Sequence, residues 1–316
     1  MPAFLSILLF SLAFVQALCF PQSFNIREVY RFPNGTWLEN IAVRLNGNLL
    51  VTDLMTVGLW EIVPPTESIH SSIRLVHHFD GADDVAGITE VSPDTFAVIS
   101  SNSVWQIEFN SHDDPPKATL ISKIPAGFLN GMATLDEGKA VMISDSQLGL
   151  VWHLDIQTGN YTVLHRHETM EANSDLGLLI GVNGLRTLHN YMYYSNSPKR
   201  IFCRVRIDTR TGRALGPYEI VSHDTLADDF AIDPRGIGYL ASLTDNEITR
   251  VFPNGSHDVV AGSKDSRDLM AATSAAFGRT RSERHVLYVT TGGETENPVN
   301  NTASLGGKVM AVSIPF

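Results

Sequence analysis

Along the chain, short apolar runs alternate with polar turns, and one arrangement recurs six times. Each unit opens on a small or polar residue ahead of an apolar segment: Glu39-Asn-Ile-Ala, Ala86-Gly-Ile, Asn130-Gly-Met-Ala, Asn183-Gly-Leu, Asp228-Asp-Phe-Ala and Thr273-Ser-Ala-Ala, spaced by 44 to 53 residues. A run rich in β-branched and aromatic residues follows (NLLVTD, TFAVISS, AVMISD, YMYYSN, IGYLAS, HVLYVT), then a third, alternating run (GLWEIV, SVWQIEF, LVWHLDI, IFCRVRI, EITRVF, KVMAVSI). Alternation with period two between turns predicts strands that present successive side chains to opposite faces of a sheet. The turns carry residues suited to positive φ, as in Leu45-Asn-Gly-Asn48, Gln157-Thr-Gly159, Arg210-Thr-Gly212 and Pro253-Asn-Gly255. Most units add a fourth strand, such as SIRLVHHF, ATLISKI or YTVLHRH, and no helical period of any length interrupts them. Four strands per unit at this spacing predict an all-β, six-bladed β-propeller. The last unit ends with its third strand at Phe316, and residues 24–32 (FNIREVYRF) form an unassigned strand. The N-terminal strand is therefore expected to complete blade six as its outer strand, leaving no open sheet edge. Two β-sandwiches, the alternative, would make the six-fold register a coincidence.

Composition narrows the function classes. With 23 Lys and Arg against 34 Asp and Glu, the 316 residues carry a formal charge of −11 and no basic block, which argues against a nucleic-acid partner. Residues Phe4 to Phe20 form an uncharged apolar run before PQSFNIRE, so residues 1–19 are expected to be a signal peptide and 20–316 the propeller. A signal anchor is the alternative, since the run lacks a basic flank. No later segment is apolar enough for a membrane span. Four sequons, at Asn34, Asn160, Asn254 and Asn300, agree with passage through the secretory pathway and mark expected glycosylation sites. Of the two cysteines, Cys203 alone lies in the body of the chain, so no disulfide framework holds it together. A buried free thiol is expected there, with a Cys19–Cys203 bridge as the alternative.

In a propeller the first strand of each blade lines the central channel, and its start lies at one mouth. The six openings should therefore face one another as a ring of Glu39, Ala86, Asn130, Asn183, Asp228 and Thr273. Two carboxylates and two carboxamides would be costly to bury unpaired. As hard oxygen donors, Glu39, Asn130, Asn183 and Asp228 could hold Ca²⁺ or another divalent ion; a water-filled polar ring is the alternative. Around them, Phe128, Met132 and Leu178, with Asn130, Thr273 and Asp245, suit a hydrophobic small molecule with a few polar handles. Asp145, Asn196 and His78 are the candidate catalytic groups.

The blade number, the closing strand and the Glu39/Asn130/Asn183/Asp228 set resemble the gluconolactonase and senescence-marker-protein propellers, relatives of strictosidine synthase and paraoxonase, over essentially the whole mature chain. The resemblance implies that these four residues hold or approach one divalent ion. The lactonases have an arginine two residues before the blade-three Asn to orient a sugar; this chain has Phe128 there, which implies an apolar mouth. The phrase PNGTWLENIAVRLNGNLLVTD more specifically resembles secreted propellers of filamentous fungi from secondary metabolism, some of them hetero-Diels-Alderases that join a tropolone quinone methide to a terpene alkene. That resemblance implies a cycloaddition, which needs no nucleophile and no cofactor, only orientation and a polarised carbonyl. Metal-dependent lactone hydrolysis is the second reading, and a non-catalytic secreted binding propeller the third.

Other clusters carry less. His77, His78, His165, His167 and Glu168 fall on outer strands, far from the channel, and are read as solvated rather than as a zinc site. His78 and His167 lie near inter-blade loops, where either could act as a proton donor. No Gly-x-Ser-x-Gly occurs. Trp60, Trp105 and Trp152 recur in third strands and read as blade packing. The long insertion 166–181 (RHETMEANSDLGLLIG) is expected to cover the mouth, with a packed surface loop as the alternative.

Overall fold

Each repeat folds as one four-stranded antiparallel sheet with its strands side by side in chain order, and six such sheets make a β-propeller. The computed structural model describes residues 24–65, 70–109, 115–294 and 305–315. The signal-peptide segment 1–19, Cys19 and the Asn300 sequon lie outside the described residues. Among those described, the helical elements are two single 3₁₀ turns, Asp136–Gly138 and Glu168–Met170.

Blade six closes as expected. Its inner strands Ala272–Phe277, Val286–Thr291 and Lys308–Ser313 are completed by Ile26–Arg31 from the other end of the chain. Tying the first strand to the last blade joins the ends of the ring and removes an exposed edge.

The apolar core is divided among the seams between blades. One cluster joins Tyr239, Ile248 and Leu269 of blade five to Leu287 and Met310 of blade six; another joins Met142 and Val151 of blade three to Leu185, Tyr194 and Cys203 of blade four. The inward face of each strand therefore packs on the neighbouring blade, and the alternation in the sequence is the imprint of these seams. Trp105 and Trp152 lie in such seams, as expected of blade packing. Cys203 is fully buried beside Tyr194, and burial pushes its thiol up to about 12.

The innermost strands approach so closely that only glycine fits at the second position of three openings. A Cβ on Gly131 would lie 2.5 Å from the Asn183 carbonyl oxygen, and one on Gly184 2.2 Å from Asp229 Oδ1. At the same level the ladder between first and second strands breaks register, at Leu38/Asn40, Val85/Ile88, Leu129/Met132, Val182/Leu185 and Ala272/Ser274. Such bulges free backbone N–H groups and re-aim side chains. Hydroxyls from the second strands take up the freed groups: Asn40 N–H donates to Thr52 Oγ1 (2.9 Å), Gly131 N–H to Ser144 Oγ (2.7 Å), Gly184 N–H to Ser195 Oγ (3.0 Å) and Ser274 N–H to Thr290 Oγ1 (3.1 Å).

Candidate functional site

The bulges turn the opening residues into one end of the channel, where Glu39, Asn130, Asn183 and Asp228 are all buried. Asn183 Nδ2 donates to Asp228 Oδ1 at 2.6 Å and lies 3.1 Å from Ser197 Oγ. Its Oδ1 is buried without a partner among the described residues. Trp37 Nε1 donates to Glu39 Oε2 at 2.7 Å, leaving Oε1 uncommitted. Asn130 makes no side-chain hydrogen bond among the described residues.

Burial pushes the Glu39 carboxyl up to about 7, against the Trp37 hydrogen bond and helped by Asp229 and Asp84. Asp228 is held well above the usual carboxylate range, first by burial, then by Glu39 and Asp229. Asp84, just ahead of blade two, is raised by burial as well. No cation among the described residues pairs with Glu39 or Asp228. Two buried acids so close share a proton or require a cation. No three His, Cys, Asp or Glu among the described residues are arranged around one point, so a metal here would rest on two carboxylates and amide oxygens. The unpartnered Asn183 Oδ1 and the uncompensated acids fit a hard divalent ion.

Beneath this ring lies a second one that the sequence reading missed. Asp229 Oδ2 accepts from Asn40 Nδ2 (2.9 Å), Ser274 Oγ (2.9 Å) and Arg186 Nη2 (2.7 Å), and its Oδ1 accepts from the Phe230 N–H (2.8 Å). This buried network joins blades one, four, five and six across the axis and plugs the channel. Its signal was present: the second residues of the six openings are Asn40, Gly87, Gly131, Gly184, Asp229 and Ser274, three glycines that make room and three polar groups that fill it.

Several candidate residues have other roles. Asp145 is fully buried, and its carboxylate accepts from the Gly127, Phe128 and Leu148 N–H groups (3.0, 3.1 and 3.0 Å) and Trp152 Nε1 (3.2 Å). With both oxygens engaged it staples the turn after its strand, as Asp53 does in blade one through Trp37, Met55 and Thr56. Asn196 is the blade-four equivalent: its Nδ2 lies 2.9 Å from the Thr169 carbonyl and 3.1 Å from that of Glu171, and its Oδ1 accepts from Lys199 N–H. Neither is placed to act on a substrate. Thr273 is buried with its hydroxyl directed to the Leu38 carbonyl (2.6 Å), joining blade six to blade one. His78 is half exposed on the outer strand of blade one and pairs with Asp80 at 2.8 Å, remote from the axis. Asp245 faces Arg200 across a peripheral turn at 3.3 Å. Met132 lies below the plug, on the opposite side from the ring.

Apolar side chains occur at the ring end among polar ones. Met55, Leu148, Leu178 and Leu179 are all exposed at the ring end, and Phe128 is half-buried two residues before Asn130. The stem of the 166–181 insertion is fixed by buried Met170, by Asn196 and by a bridge between Asn173 and Ile180, with Leu178 (68% exposed) at its tip. His167 stacks on Tyr218 at 4.2 Å, and His165 is buried, lowered to about 4 by desolvation, 2.9 Å from the Tyr218 hydroxyl. Both belong to the seam between blades three and four. The Asn34, Asn160 and Asn254 side chains are exposed in turns.

No protein-family model matches the chain. Two curated proteins resemble it along most of its length. One, named "Putative hetero-Diels-Alderase asR5", from Sarocladium schorii, is 30% identical over 85% of this chain and 79% of its own. The other, from a Phoma species and named in the same way, is 28% identical over 84% of this chain and 86% of its own. Among solved structures, a luciferin-regenerating enzyme superposes with a TM-score of 0.68 at 18% identity, covering 92% of this chain and 95% of its own. A calcium-binding regucalcin of Agrobacterium tumefaciens gives 0.66 at 16% identity, covering 93% and 96%. A Xanthomonas campestris gluconolactonase gives 0.63 at 14% identity, covering 93% and 91%. At these identities the structural likeness speaks for the six-bladed fold.

Proposed function

Because the chain belongs to the family of the Sarocladium schorii protein named "Putative hetero-Diels-Alderase asR5", we propose that it is an enzyme of secondary metabolism that joins a quinone methide, of the tropolone type, to a terpene alkene at the ring end of its channel. The observation that carries this reading is the buried Glu39 carboxyl, raised to about 7, at the end of the channel where Met55, Leu148, Leu178 and Leu179 are exposed. A quinone methide is an oxadiene, O=C–C=C. A protonated carboxyl donating to its oxygen lowers the energy of the empty π orbital that the electron-rich alkene attacks. One C–C and one C–O bond form as π bonds are consumed, with no leaving group and no net proton transfer. Trp37 occupies Oε2 of Glu39, which leaves Oε1 for the substrate oxygen. Met55, Leu148, Leu178 and Leu179 would supply an apolar surface for the terpene, the last two on an insertion whose stem is braced by the Asn173–Ile180 bridge. Orientation of the two partners can contribute up to about 7–11 kcal/mol. The N-terminal apolar run, by this reading, sends the protein to the secretory pathway.

The test is to generate a tropolone quinone methide with a terpene alkene in the presence of the purified protein and to analyse the adduct by chiral chromatography. An enantioenriched adduct formed above the background rate is expected. Glu39→Gln, which keeps an N–H donor, should retain more activity than Glu39→Ala. A racemic adduct at the background rate would overturn the reading.

The unpartnered Asn183 Oδ1 favours a second reading, metal-dependent lactone hydrolysis. A divalent ion held by Glu39, Asn130, Asn183 and Asp228 would supply Lewis acidity toward an ester carbonyl. Lactone hydrolysis lost in EDTA and restored by Ca²⁺ would support this reading; cycloaddition that persists in EDTA would leave the first one standing.

A further inference from the structure

Below the plug formed by Asn40, Asp229, Ser274 and Arg186, the channel opens again at the opposite end of the propeller. The later residues of the inner strands, among them Ile41, Ile88, Met132 and Ala275, line a cavity of about 330 Å³ there. Ile232 and Phe277 also border a second hollow, of about 510 Å³, between blades five and six, with Pro234, Gly278 and Arg284 on its walls. The two spaces meet at Ile232 and Phe277. Phe277 is held edge-on against Tyr239 at 5.2 Å, so the shared wall is fixed by the seam behind it.

The charges along these walls cancel in pairs with one exception. Arg186 pairs with Asp229 (2.7 Å), Arg279 with Glu90 (2.5 Å), and Arg235 with Asp233 (2.7 Å). Arg284 is exposed and has no ion pair or hydrogen bond among the described residues. Its neighbour Glu283 is turned elsewhere: Oε2 accepts from Thr280 Oγ1 at 2.7 Å and Oε1 from the Tyr288 hydroxyl at 2.8 Å, and Glu283 lies beside Gly47 of blade one. An apolar groove is thus bordered by one uncommitted cation, and the plug separates it from the ring. A fixed apolar wall with a single charged group at its edge selects an apolar body with an opposite charge at one end.

We propose that this face is a second small-molecule site, taking an amphiphilic monocarboxylate of the fatty-acid class with its chain along Ile232, Pro234 and Phe277 and its head on Arg284. It is independent of the reaction assigned to the ring end. Binding of dodecanoate, below its micelle concentration, is measured by calorimetry on the full chain, with dodecanol as the neutral control. The expected result is saturable one-to-one binding of dodecanoate, weakened at least tenfold in Arg284→Gln, with dodecanol affected less than twofold. Pro234→Asp, which places a negative charge in a surface turn on the groove wall, should weaken both ligands. Glu39→Gln, at the ring end, should alter neither. Absence of saturable binding, equal affinity for dodecanoate in wild type and Arg284→Gln, or loss of binding in Glu39→Gln would each overturn the proposal.

Discussion

Asn183 donates a 2.6 Å hydrogen bond to Asp228 through its amide nitrogen while its amide oxygen is buried with no partner among the described residues. A buried unpaired acceptor costs about 1–3 kcal/mol, and two neighbouring acids add to that cost. A divalent ion would relieve both. Millimolar Ca²⁺ at pH 8, above the value of about 7 to which Glu39 is raised, should therefore raise the melting temperature by several degrees, since a ligand at 100 times its dissociation constant contributes about 2.7 kcal/mol. At pH 5 the shift should shrink, because protons compete for the same oxygens. Differential scanning fluorimetry with EDTA-treated protein reads both effects, and Asp228→Asn should abolish them. An unchanged melting temperature at both pH values would mean that water, not metal, fills the ring.

Glu39 also sets a pH dependence in the metal-free protein. Its carboxyl is raised from the usual 4.5 to about 7. Between those values the folded chain holds a proton that the unfolded chain has lost, so stability falls as pH rises. This group's favourable contribution is complete below about pH 4.5 and gone above about pH 7, a change of at most ~3 kcal/mol. Denaturant titrations in EDTA at pH 5, 6, 7 and 8 should show the decline. Glu39→Gln should flatten it, also relieving Asp228, whose carboxyl Glu39 helps to raise. A wild-type profile that rises over this range would contradict the assignment.

How much of this was legible in the sequence depended on whether a signal was local. The blades were, because seam packing leaves a period-two pattern in every strand and the closing strand was left over at the N-terminus. The ring residues followed from the register of the openings. The plug did not, since Asn40 meets Asp229 only when the ring closes across 189 positions. Asp145 was misread because an acid at a strand end looks the same whether it faces a mouth or the amides of its own turn. The opposite cavity was hidden because Ile41, Ile88 and Ala275 read as ordinary core.

The reassignment of Asp145 has its own test. If the carboxylate only staples the turn, Asp145→Ala strands the Gly127, Phe128 and Leu148 N–H groups and the Trp152 indole, and should lower stability by roughly 2–4 kcal/mol. The folded fraction should keep its kcat toward whatever substrate the ring end turns over. Denaturation midpoints together with kinetics at 15 °C, where the variant remains folded, separate the two effects. A hundredfold fall in kcat with an intact midpoint would restore a catalytic role.

The Asp229–Arg186 pair makes the most demanding prediction. Asp229 is 4% exposed and accepts from three side chains on three blades, while Arg186 is one-fifth exposed and approaches from blade four. Removing the carboxylate leaves a largely buried guanidinium without its partner, which is far costlier than losing both charges. Asp229→Asn should destabilise the fold by about 3 kcal/mol, Arg186→Met by a similar amount, and the double variant by clearly less than their sum. A coupling of roughly 1–3 kcal/mol is expected from urea denaturation of the four proteins. Additive losses would mean that the plug is only a set of separate hydrogen bonds.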